Sequence, residues 1–247
     1  MSSGYYAACA GLVARTEALD TVANNLANTN TPGFRASHNV FRSMLASANG
    51  DQLTTLNQDV NDYGVLSGTR LDTSQGALTK TGNDLDVAIE GSGYFAVQTA
   101  AGEMYTRNGG FHVSPKGQLQ TSSGDAVLGD RGPITIAGQP VEIASDGTIS
   151  VDGAVTGRLK VVEFSPDVQL ESAGGAYYSA PSGSATAAKN SQVQQGMLES
   201  SNANPITGMV ELISAQREVE GLRRALTLFS SEMDKTAAQD LPRVNNS

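Results

Sequence analysis

Apolar residues keep two rhythms along this chain, a helical one at both ends and a strand-like one between them. From Ser3 to Asn28, Tyr5, Leu12, Leu19 and Leu26 recur every seventh residue, flanked by Ala8, Val22 and Ala23, which is the spacing of one helix seam. Arg15 interrupts that seam. Asn24, Asn25, Asn28 and Asn30 are weak helix formers and Thr31-Pro32-Gly33 cannot continue a helix, so it should end near Asn28. At the far end, Asn204 suits an N-cap and Pro205 a first helical position, where a missing N–H costs nothing. Leu212, Ala215, Val219, Leu222, Leu226, Phe229 and Met233 then alternate in steps of three and four, an a/d seam.

Residues 84–164 read as short strands divided by turns. Leu85–Ile89, Tyr94–Gln98, Glu103–Arg107, Gln118–Thr121, Ala126–Leu128, Ile134–Ile136, Val141–Ile143, Thr148–Val151 and Leu159–Phe164 are the strands. Gly91-Ser92-Gly93, Ala101-Gly102, Asn108-Gly109-Gly110, Pro115-Lys116-Gly117, Ser123-Gly124-Asp125, Asp146-Gly147 and Asp152-Gly153 supply the turns. Two stretches carry neither period. The expected organisation is therefore an axial helix over 1–33, an extended connector over 34–83, a β domain over 84–164, a return connector over 165–203 and a second axial helix over 204–240. The fold class is α+β: an all-β antiparallel domain with terminal helices that pair as a coiled coil.

Composition narrows the function. The chain has 247 residues and a formal charge of −9, so it offers no basic field for nucleic acid or an anionic membrane. One cysteine, Cys9, forbids an internal disulfide, and two histidines, His38 and His112, are too few for a usual zinc cluster. No apolar run approaches the ~20 residues of a membrane span. Ala7-Ala8-Cys9 hints at a lipoprotein site, but no basic residue precedes the apolar run, so no cleaved leader is expected.

Candidate chemistry is thin. Gly91-Ser92-Gly93 lacks the third glycine and following helix of a dinucleotide loop and reads as a hairpin turn. Asp84 and Asp86 share one face at a strand start, the usual place of solvated acids. His112 has no nucleophile motif with it, and Cys9 reads as a small buried apolar residue. Neither an enzyme nor a cofactor is expected. The two helical stripes instead need cover that the β domain has no obvious way to give, so copies of the chain or close relatives should bury them. Head-to-tail repetition of such contacts makes an open filament. The expected interface is Leu12, Leu19, Val22, Asn24, Asn25, Leu26, Asn28, Leu212, Ala215, Gln216, Val219, Leu222, Leu226, Phe229 and Met233, the amides fixing register between packed helices.

Three blocks carry a resemblance. Asn24-Asn25-Leu26-Ala27-Asn28-Thr29-Asn30-Thr31-Pro32-Gly33-Phe34-Arg35 resembles the N-terminal signature of bacterial flagellar rod and hook axial proteins. Thr81–Gly91, Gly93–Val97 and Tyr105–Gly109 resemble that family's β-domain core, and Gln195–Asn202 with Met209–Arg217 its C-terminal signature. The resemblance implies a rod subunit that transmits torque, is exported through the flagellar type III apparatus without a cleaved leader, and assembles in the periplasm with itself and other axial proteins. Residues 34–76, shorter than the distal rod protein's connector, and Val127–Ile134 resemble the proximal rod protein; Glu218-Val219-Glu220-Gly221 departs from the usual aromatic-containing stretch. The alternatives are a distal rod subunit and, in another class, a β-domain surface adhesin or binding module.

Overall fold

The computed structural model describes residues 2–42 and 65–240. Helix α1 runs Ser2–Ala27 and α2 runs Pro205–Asp240. Thr31-Pro32-Gly33 ends the first as expected, and Gly33 takes a left-handed φ of 69° that a side chain would strain. The chain divides into two units. One holds α1 as far as Asn24, a ribbon of β1 (Ser37–Arg42) and β2 (Val65–Leu71), and α2 from Ile206; the other holds Asn25–Ser37 and Arg70–Pro205.

In the β unit the chain continues through β3 (Leu78–Lys80), β4 (Val87–Glu90), β5 (Tyr94–Thr99), β6 (Gly102–Thr106), β7 (Phe111–Val113), β8 (Leu119–Thr121), β9 (Ala126–Gly129) and β10 (Gly132–Pro133). It goes on through β11 (Val141–Ile143), β12 (Thr148–Val151), β13 (Ala154–Arg158), β14 (Val161–Glu163), β15 (Glu171–Gly174), β16 (Tyr177–Ser179), β17 (Thr186–Ala187), β18 (Gln192–Gln195) and β19 (Met197–Glu199). The registered pairings within this unit are antiparallel. β5 is the hub. It pairs β6 along one edge, with Phe95 opposite Thr106, and along the other it shares itself between β14 and β9. The main sheet runs β15-β16-β6-β5-β9-β8-β7, and β11-β12-β13 forms a separate meander.

The core lies between these layers. Val87, Ile89, Phe95, Val97, Leu119, Val127 and Ile149 are wholly buried there, and Phe95 meets Phe111 edge-on at 5.2 Å between ring centres. A smaller cluster packs Tyr94 edge-on against Phe164 and Tyr178.

Three expectations need correction. Residues 165–203 are not a plain connector: β15 to β19 lie there and pair into the β unit, β16 with β6, β18 with β4 and β19 with β3. These strands are short, and β15 and β17 are exposed throughout, so no alternation marks them. The extended connector over 34–83 likewise carries β1, β2 and β3, while its stretch 43–64 lies outside the described residues. Gly91-Ser92-Gly93 is not a hairpin turn, because β4 pairs β18 while β5 pairs β6; it is a corner between two sheets. Asp152-Gly153 does turn a hairpin, with φ of 51° and 77°, joining β12 to the unforeseen β13.

Candidate assembly site

Within the helical unit an ion pair joins Arg15 of α1 to Glu218 of α2 at 3.1 Å, both groups partly exposed. The residue that interrupted the α1 seam thus has a partner on the other helix. Next to Glu218, Val219 is the buried one among the described side chains of the α2 seam; Leu212, Ala215, Leu222 and Leu226 are half-buried and Gln216 is exposed. Phe229 and Met233 lie on α2, with side chains outside the described residues. Among the described side chains of α1 the deepest positions are Gly11, Ala14 and Ala18, and Leu12, Leu19, Val22 and Leu26 are half-buried. The buried stripe is therefore centred on small residues and the seventh-residue leucines sit at its shoulder, a rotation that large-residue counting alone misses. Asn39 of β1 is fastened to α1, accepting from Thr21 Oγ1 at 3.1 Å and donating to the Ala18 carbonyl at 3.4 Å.

Two of the amides have partners within the chain. Asn25 donates to the Ser37 carbonyl at 2.8 Å and accepts from the Ser37 N–H at 2.9 Å, so both ends of its amide are satisfied in its own chain. Asn28 accepts from Thr31 Oγ1 at 3.1 Å. Each closes the turn that leads out of α1, and only Asn24 of the three is exposed.

Inside the β unit the entering and leaving strands are tied by a buried charge cluster that sequence reasoning did not single out. Glu199, at the end of β19, lies 2.7 Å from Arg35 Nη2 and 3.1 Å from Arg107 Nη1, with all three side chains at 1% exposure or less. Its Oε1 also accepts from the Gly76 N–H at 2.8 Å. Two guanidiniums against one carboxylate leave net positive charge. It is spread over the carbonyls of Ser74, Ile89 and Gly91 and over the Tyr94 ring, 5.0 Å from the Arg107 guanidinium carbon. Burial pushes the Arg107 guanidinium below its ordinary value, and Glu199 pulls it part of the way back.

Backbone groups complete the knot. The Gly33 N–H donates to the Glu199 carbonyl at 2.7 Å, and the Arg35 N–H to the Tyr178 hydroxyl at 2.7 Å, which in turn donates to the Gly33 carbonyl at 3.3 Å. Burial drives the Tyr178 phenol well above the usual tyrosine range. Asn202 accepts from the Ala36 N–H at 2.7 Å and donates to the carbonyls of Asp72 and Ser74 at 3.0 and 3.1 Å. A Cβ on Gly33 would stand 2.3 Å from the Arg107 carbonyl carbon, so the two backbones meet only because that position has no side chain. The signal for this cluster was present as charged residues inside otherwise apolar or small-residue blocks, Arg35, Arg107 and Glu199. It was not read because charge at block ends ordinarily means solvent.

Among the described residues no helix is long and apolar enough to cross a membrane. The surface groove lined by Gln98, Glu103, Tyr105, Leu128, Asp130 and Lys160 carries an exposed Lys160–Glu103 pair at 2.6 Å.

The three resembling blocks thus converge on one knot, and family models fall on the same pieces. The model for flagella basal body rod protein matches residues 6–35, from α1 to Arg35. That for the flagellar hook protein FlgE/F/G D1 domain matches 88–157, and that for the flagellar basal body rod FlgEFG protein C-terminal region matches 194–222. The flagellar basal-body rod protein FlgF of Caulobacter vibrioides is 34% identical over 92% of this chain and 93% of its own. FlgF of Salmonella typhimurium is 37% identical over 83% and 85%, and the rod protein FlgG of Bacillus subtilis 33% over 92% and 95%. The order of the matched family models and the coverage of the relatives lead to one conclusion: the chain belongs to the flagellar basal-body rod protein family and is a structural subunit of the rod.

Proposed function

We propose that the chain is a proximal-rod subunit whose terminal helices form a coiled coil and join it to copies of itself and to other rod and hook proteins. In this reading the packed helices transmit torque along the axis. The observation that carries it is the outward side of α2, where Ile206, Met209, Val210 and Ile213 are 74, 51, 65 and 51% exposed. Apolar surface of that kind on a helix whose opposite side already faces inward is what association would bury. The Val127–Ile134 block, here the β9–β10 hairpin, supports proximal over distal rod through its resemblance. Delivery through the flagellar export apparatus to the periplasm belongs to the same reading, and catalysis has no part in it.

Deleting Ser3–Asn28 in the native flagellated strain should abolish rod completion and swimming. Normal rods in that strain, seen by electron microscopy of basal bodies, would overturn the reading.

A further inference from the structure

The outer stripe of α2 is apolar at both ends and charged between them. Met209, Val210 and Ile213 open it and Leu228, 67% exposed, closes it, with exposed Arg217, Glu220 and Arg224 in the middle. Glu220 is engaged by Arg224 within the helix at 3.8 Å. α1 carries a reciprocal stripe. Ala10, Val13, Glu17, Asp20, Asn24 and Ala27 follow in steps of three and four and are all exposed, Val13 at 58%. That stripe holds two acids and no base, and the Arg15–Glu218 pair is not on it.

We propose that the outer stripe of α2 docks, antiparallel, on the outer stripe of α1 in a second copy of this chain. The inference rests on the rod-subunit reading and names its contact. Setting Glu17 opposite Arg224 places Val13 opposite Leu228, Asp20 between Arg224 and Arg217 and beside Glu220, whose charge Arg224 answers within its helix, and Ala27 within a turn of Ile213 and Val210. Apolar residues then meet apolar residues at both ends, and charge fixes the register between them. The contact joins different surfaces, so it leaves an unused α1 stripe on one copy and an unused α2 stripe on the other. Copies can therefore add head to tail through it.

Two charge reversals test it in the flagellated strain. R217E/R224E and, separately, E17R/D20R should each cut the number of completed rods roughly tenfold, and all four changes in one chain should restore it to within about twofold of the parent. Either reversal leaving rods normal, or the combined chain doing no better than either alone, overturns the proposal. Circular dichroism of each purified variant shows whether its helices persist. Should one lose them, cross-linking decides. V13C and L228C are placed in separate C9S chains, co-expressed and oxidised in isolated rods. A disulfide-linked species of twice the chain mass, present only with both variants, is the expected result. A bond to a protein of another mass, or no bond in intact rods, overturns the choice of partner. If removing Ser3–Asn28 stops rods while the reversals change nothing, this contact falls and the rod-subunit reading stands.

Discussion

The two units of this molecule deal with awkward groups in opposite ways. The β unit takes three ionised side chains, Arg35, Arg107 and Glu199, out of water altogether and surrounds them with one another, three carbonyls and an aromatic ring. The helical unit leaves several large apolar side chains of α2 in water, with Met209, Val210, Ile213 and Leu228 more than half exposed. Buried charge is costly unless the same interior answers it, and here one carboxylate and the carbonyls do so in part, the Nε atoms of Arg35 and Arg107 having no hydrogen-bond partner among the described residues. Exposed apolar surface in a regular stripe is a sign of an interior shared with something else. The β unit thus keeps its charge within its own chain, while under the proposed function the helices take their cover from another.

The contrast can be broken most forcefully at its buried end. Glu199→Ala strands two guanidiniums without their carboxylate and should destabilise the β unit by about 3–5 kcal/mol, the range for breaking a buried pair. Denaturant unfolding followed by circular dichroism checks it, and a loss below 1 kcal/mol would mean that water reaches the cluster. Gly33→Ala comes next. It forces a side chain onto a left-handed φ and against the Arg107 backbone, and overpacking of this kind costs about 1–3 kcal/mol in the same measurement.

Tyr178→Phe leaves the buried Arg35 N–H unpaired, a loss of roughly 1–3 kcal/mol at neutral pH. It also carries a pH signature. The folded phenol titrates above the unfolded one, so its contribution is fully present below about pH 10 and is lost as pH rises from there toward the folded value. Parent stability should fall over that alkaline range more steeply than that of the phenylalanine variant; parallel curves would count against the buried hydroxyl. The smallest effect is expected outside the β unit. Ile213→Ser should alter the stability of the monomer by no more than about 0.5 kcal/mol, as an exposed site does, yet weaken assembly. A large monomer effect would show that Ile213 is covered by its own chain.

The helices and the middle strands were legible because their periods are strong. Thr31-Pro32-Gly33 stops α1, Asn204-Pro205 starts α2, and the alternation in Val141–Ile143 and Thr148–Val151 matches their burial. β13 and β15 were not legible, since strands without a buried face leave no pattern, and Gly157 and Gly174 dilute what there is. Asn25 also serves Ser37 of its own chain, a contact 12 residues away that no local rule proposes. The charge cluster was hidden for a related reason. Arg107 and Glu199 are 92 residues apart, and only the fold shows that they share one carboxylate's reach.

That separation has a consequence in time. Arg35 and Arg107 are both delivered ahead of Glu199 whenever the chain is presented amino end first. Until the late carboxylate arrives, neither guanidinium can shed its hydration shell without a large penalty. The segment around Arg35 must then wait, undocked, for almost the whole β unit to emerge. Closure of that knot reports that the chain has been delivered through Glu199, with α2 still to follow.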